Sequence, residues 1–154
     1  MIGVNSMEIK LKDDFLLSST TNIISTTFYI QHEDCCFPDN QWTDLTSSIL
    51  EMWGEKLIRC KSISHEIFTL YFEDGPYRLD LQKDLEYLFV KCVNFRDNDC
   101  VEFSFKCSYN DFVDTFCKAL KKFIYLLYTN DLQVDKYEPL YCQMKLILKH
   151  LKET

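Results

Sequence analysis

Glycine and proline are scarce in this chain of 154 residues, with three of each. So few glycines leave no loop able to cradle a phosphate through its backbone, and neither G-x-G-x-x-G nor G-x-x-x-x-G-K-[ST] occurs. Histidine is as rare: His32, His65 and His150 lie far apart and outside any motif. H-E-x-x-H and G-x-S-x-G are missing too. Cys–His chemistry through His32 or His65 stays open, although nothing in the sequence singles it out. The longest strongly apolar run, F-I-Y-L-L-Y at 123–128, is far too short to cross a bilayer. The opening M-I-G-V-N-S-M-E-I-K-L-K-D-D has no basic stretch followed by an apolar one, so no signal peptide is expected. Met7 offers an alternative start, with residues 1–6 as a loose leader, and the expected location is the cytoplasm.

Positive charge is in short supply as well. Lys and Arg number 17 against 24 Asp and Glu, for a net charge of −7. Such a surface repels nucleic acid and anionic membrane, so neither is expected as a partner, whereas a basic protein would be attracted.

Cysteine is abundant, with eight residues, yet no two form a C-x-x-C pair. Zinc ribbons and redox motifs need that spacing so that a short loop can aim two thiolates at one point. Cys92, Cys107 and Cys117 fall inside apolar patterns, where a thiol acts as a small hydrophobe. Reduced, structural cysteines are the expectation. His32, Cys35 and Cys36 could supply three metal ligands, but no second cluster supplies a fourth. No metal or other cofactor is expected.

What the chain does have is apolar and aromatic bulk: 47% hydrophobic residues, with 12 Phe and 9 Tyr. At this length one domain over residues 1–154 is expected, without linker or repeat. M-E-I-K-L-K (7–12) and N-I-I-S-T-T-F-Y-I-Q (22–31) read as strands. A helix is predicted over about 41–58, with Leu45, Ile49, Met52, Trp53 and Leu57 on one apolar stripe and Gly54 leaving room for a close neighbour. E-I-F-T-L-Y-F-E-D-G-P-Y-R-L-D-L-Q (66–82) reads as two strands about a tight Asp74-Gly75 turn, Arg78, Asp80 and Gln82 forming a wet face. Strands at 86–95 and 100–107 flank an R-D-N-D loop, with Val101, Phe103, Phe105 and Cys107 sharing one face. Ser108 and Asp111 resemble a capping box at the start of a helix that buries Phe112, Phe116, Ala119, Leu120, Phe123 and Leu127. A last helix follows Pro139, with Leu140, Met144, Ile147, Leu148 and Leu151 on its inner face. The expected class is α+β: an antiparallel sheet of five to six strands with three helices packed mostly on one face.

Carboxylates come in pairs at Asp13/Asp14, Glu33/Asp34, Glu73/Asp74 and Asp97/Asp99, all in expected turns. They read as solvated loops or as a surface for a basic partner. Trp42 and Asp44 are expected to fix the start of the first helix, Asp44 near its positive end.

The segment F-P-D-N-Q-W-T-D-L-T-S-S-I-L-E-M-W-G-E-K-L (37–57), followed by L-Y-F-E-D-G-P-Y-R-L-D-L-Q (70–82), carries a family resemblance. It is similar to small bacterial proteins encoded beside polymorphic or contact-dependent growth-inhibition toxins. Their pattern F-P-x-x-x-W-x-D-F precedes an aliphatic run ending in Trp and then an F-x-D-G-P-Y-like hairpin. The matching residues are Phe37, Pro38, Trp42, Asp44, Trp53, Phe72, Asp74, Gly75, Pro76 and Tyr77, with Leu45 standing where the pattern has Phe. The match covers residues 37–82 and the C-terminal helices only in general shape.

The resemblance implies an immunity protein that binds one secreted toxin domain in the cytosol and blocks its active or essential surface. The role needs no catalytic residue, and a basic toxin domain, such as a nuclease, would be drawn to an acidic face. Candidate contacts are Glu33, Asp34, Asp39, Glu73, Asp74, Asp80 and Asp97, with Trp42 and Tyr77 as aromatic anchors. Two other readings stay open: a cytosolic adaptor or regulatory module, and a small enzyme.

Overall fold

A computed structural model describes residues 7–18, 23–96, 98–132 and 136–153. The class is α+β as expected, but the strands form two antiparallel sheets rather than one. The first is organised on β3 (Ile24–His32). It pairs with β1 (Met7–Leu11) and β2 (Leu16–Leu17) from before it in the chain, and with β4 (Cys35–Phe37) and β5 (Thr43–Asp44) from after it. The second is a meander in chain order: β6 (His65–Tyr71), β7 (Tyr77–Asp84), β8 (Tyr87–Asn94) and β9 (Cys100–Ser108).

Helix α1 (Thr46–Cys60) joins the two sheets and packs on β3 and β6. Helix α2 (Tyr109–Thr129) lies on β1 and β9, and α3 (Glu138–Lys152) closes over both helices. One apolar core runs through all of them, from Ile9 and Phe28 through Trp53 and Leu79 to Phe116 and Ile147.

Local chemistry explains the elements that the sequence predicted well. Ser108 caps α2, its hydroxyl oxygen accepting the Asp111 N–H at 2.9 Å. All six residues assigned to the inner face of α2 are buried. Pro139 sits in the first turn of α3, where its missing N–H costs no helix bond. Gly54 is where α1 meets α3: a Cβ there would lie 2.6 Å from Ile147 Cγ2.

Four expectations need correction. Helix α1 begins at Thr46, not near residue 41, because Thr43 and Asp44 instead pair with Thr27 and Thr26 of β3. Met52 is exposed and off the stripe, and Leu45 lies before the first turn. The connection between β6 and β7 spans residues 72–76, wider than a tight turn, although Gly75 does take a positive φ of 144°. Val101 is exposed: the β8–β9 register shifts between Cys92 and Val93, leaving Glu102 unpaired and breaking the alternation that holds for Phe105 and Cys107.

One buried charge went unforeseen. Lys83 alternates inward with Leu79 and Leu81 and is only 6% exposed. Its ammonium donates to the Cys60 carbonyl at 2.8 Å and the Ile63 carbonyl at 2.6 Å, and lies 4.5 Å from the centre of the Tyr109 ring. It satisfies acceptors left over at the C-terminus of α1, where the helix dipole also favours a cation.

Candidate partner-binding surface

The stretch after β4 begins with a cis Phe37–Pro38 bond and turns at Asp39, whose carboxylate accepts the Gln41 N–H at 2.8 Å. The chain then returns to β3, Phe28 donating its N–H to the Trp42 carbonyl at 2.8 Å. This places Asp44 under the loop rather than at a helix cap. Leu45 is the residue before α1, and its side chain makes no cap hydrogen bond to that helix.

Asp44 is 1% exposed, and four N–H groups converge on its carboxylate. Oδ1 accepts from Leu45 at 2.7 Å, Asp74 at 3.0 Å and Glu73 at 3.2 Å, while Oδ2 accepts the Trp42 indole at 2.7 Å. A buried carboxylate is tolerated only when its acceptor sites are filled, and charge-assisted bonds of this kind are the strong ones. Burial pushes the Asp44 carboxyl above its ordinary range, while the donors from Trp42, Leu45 and Asp74 pull it back. One side chain thus fastens the 38–45 segment to the 72–76 loop.

Aromatic contacts complete the junction. The Trp42 and Tyr77 rings meet edge to face at 5.0 Å, and Tyr77 meets Phe37 the same way at 5.5 Å. Gly75 allows the close approach, since a Cβ there would lie 2.7 Å from Trp42 Cη2.

The junction brings together Trp42, Glu73, Asp74 and Tyr77, with Asp39 in the same loop as Trp42. The three acids are exposed, and the two aromatics are half-buried. Glu33 and Asp34 are exposed in the β3–β4 turn, at the far end of β4 from Pro38, with Glu33 at a positive φ of 54°. Asp80 belongs to a different surface, the outward face of the second sheet. There it is clasped by Arg78 at 2.9 Å and 3.2 Å and accepts from the Thr69 hydroxyl at 3.4 Å. Asp97 lies outside the described residues.

Other chemistry finds less support. His32 and Cys35 are register partners, but the imidazole stacks on Phe105 at 4.7 Å, and its Nε2 is buried without a hydrogen-bond partner among the described residues. No group of three His, Cys, Asp or Glu among the described residues is arranged to hold a metal. Burial raises the thiol pKa of Cys60, Cys92 and Cys117, and pushes Cys107 up to about 12, the direction that suppresses a thiolate nucleophile. No described helix is long and apolar enough to cross a membrane. No protein-family model, curated protein or solved structure matches the chain.

Proposed function

We propose that the chain is an immunity protein, which binds one toxin domain in the cytoplasm and covers its active or essential surface. The observation that carries this reading is the convergence on Asp44. The two segments of the family-like pattern, almost thirty residues apart, are fastened to one buried carboxylate. They present Asp39, Glu73 and Asp74 outward around Trp42 and Tyr77. A surface held in advance loses little freedom on binding. Its exposed acids would steer a basic toxin domain, and half-buried aromatics would supply the desolvated anchor that charge lacks.

The test is co-expression with the toxin encoded next to it. Asp39→Asn, Glu73→Gln and Asp74→Asn together should slow association and weaken its salt dependence, and adding Trp42→Phe and Tyr77→Ala should abolish protection. Full protection by the fivefold variant, folded by its melting curve, would remove the surface from the mechanism. A wild-type protein that neither binds nor protects against that toxin would remove immunity itself.

A further inference from the structure

The second sheet has another face, and it carries a group of exposed apolar side chains. Alternation along β6–β9 sends Phe68, Leu79, Val90 and Phe105 into the core and the intervening side chains outward. On or beside the outward face, Ile67, Tyr71, Tyr87, Phe89, Phe95 and Val101 are between 38% and 77% exposed. Single exposed apolar residues are ordinary, whereas several gathered on one face point to a contact surface.

The charges on this face are largely balanced within it. Arg78 clasps Asp80 and reaches Asp99 at 3.2 Å, His65 pairs with Asp84 at 3.0 Å, and the Lys106 ammonium lies over the Tyr87 and Phe89 rings at 4.3 Å and 5.4 Å. With Asp99 counted, the face sets three cations, Arg78, Lys91 and Lys106, against three carboxylates, Asp80, Asp84 and Asp99, in a chain of net charge −7. A basic partner would be drawn elsewhere. This face suits a surface as balanced as itself.

We infer that the face binds the same face of a second copy, forming a twofold dimer by sheet-on-sheet stacking. Asp80 and Lys91 are cross-strand neighbours on the two central strands. A twofold axis in the contact plane, running along the strands between β7 and β8, sets Asp80 of one copy over Lys91 of the other. The same axis sets Tyr71 over Val101, apolar on apolar. Four strands seven residues long cover roughly 450 Å² by strand spacing and rise, so two copies bury about 900–1,000 Å² before side-chain relief is counted. That is near the lower bound of a specific interface. Pairing through the edge of β6 is disfavoured, because the Trp53 indole and the Lys56 ammonium occupy the Tyr71 and Thr69 carbonyls.

Sedimentation of the full chain tests the dimer without any toxin. Wild type should sediment as a dimer at micromolar concentration, and Tyr71→Glu/Val101→Glu, which the same axis sets acid over acid, as a folded monomer. Should that pair fail to fold, Lys91→Glu, which sets two acids face to face, should weaken the dimer constant by about tenfold. A monomeric wild type, or a dimer indifferent to both variants, overturns the inference. So does a monomeric wild type whose sheet-face variants lose toxin protection, since the face would then belong to the partner.

Discussion

Trp42 and Asp44 are joined by a 2.7 Å hydrogen bond from the indole Nε1 to the carboxylate Oδ2, beneath a loop that the same carboxylate holds through two backbone amides. The bond makes the half-buried indole part of the junction rather than a loose surface ring. It also makes Asp44 the residue on which the candidate surface depends. Asp44→Ala should therefore cost about 3 kcal/mol, as expected when several buried donors lose their acceptor together. Asp44→Asn, which swaps one acceptor oxygen for a donor, should cost less but still measurably. A urea melt in which Asp44→Asn matches wild type would show that the charge contributes nothing to the junction.

The same carboxylate has a signature in pH. Burial raises its pKa above the ordinary value of 3.8, so the folded chain holds this proton more tightly than the unfolded chain does. Stability linked to that proton is fully present below the unfolded value and is lost as pH rises through the folded one. The stability of wild type relative to Asp44→Asn should thus fall across that window and level off above it. A difference that grows with pH would mean that the four N–H donors outweigh burial.

The two tryptophans should separate in a denaturant melt. Trp53 is fully buried, meets Phe28 and Phe72 edge to face, and donates to the Tyr71 carbonyl at 2.8 Å. Trp53→Ala should cost ~3–5 kcal/mol, the range for removing a large buried aromatic. Trp42→Ala should cost about half of that, because its ring is half-buried and Asp44 keeps three other donors. Equal losses would mean that Trp42 is a core residue.

Where the sequence could be read, the signal was periodic and local. The α2 stripe repeats at helical spacing over about four turns, Ser108 caps three residues before its partner, and strands β6–β9 follow one another through short loops. What escaped was short or distant. Strands of two or three residues such as β4 and β5 carry no periodicity, so the first sheet could not be separated from the second. Asp44 two residues after a Trp looked like a helix start, because its other partners, the amides of Glu73 and Asp74, lie about thirty positions away. The pairing of Val101 was hidden by one extra residue in β9. Lys83 did leave a trace: it continues the inward alternation of Leu79 and Leu81 along β7.

Lys83 should prove costly to neutralise. Lys83→Met keeps the length of the side chain but leaves the Cys60 and Ile63 carbonyls without their ammonium donor. The expected loss is about 2–3 kcal/mol, the range for stranded buried acceptors. Hydrogen exchange should localise it to the last turn of α1. A variant as stable as wild type would mean that water replaces the ammonium at no cost.

Gly54 pits helix propensity against contact between helices. In an open helix Gly→Ala gains about 1 kcal/mol. Here the added methyl would sit 2.6 Å from Ile147 Cγ2, so α3 must yield before the gain appears. Gly54→Ala should therefore destabilise the protein, and the sign should reverse once Ile147 is shortened. Ile147→Ala alone should cost ~2–5 kcal/mol by leaving a cavity. In the Gly54→Ala background the same change should cost less, because the new methyl fills part of that space. A thermodynamic cycle over the four proteins reads the coupling directly. Additive losses would mean that α1 and α3 do not meet through this pair.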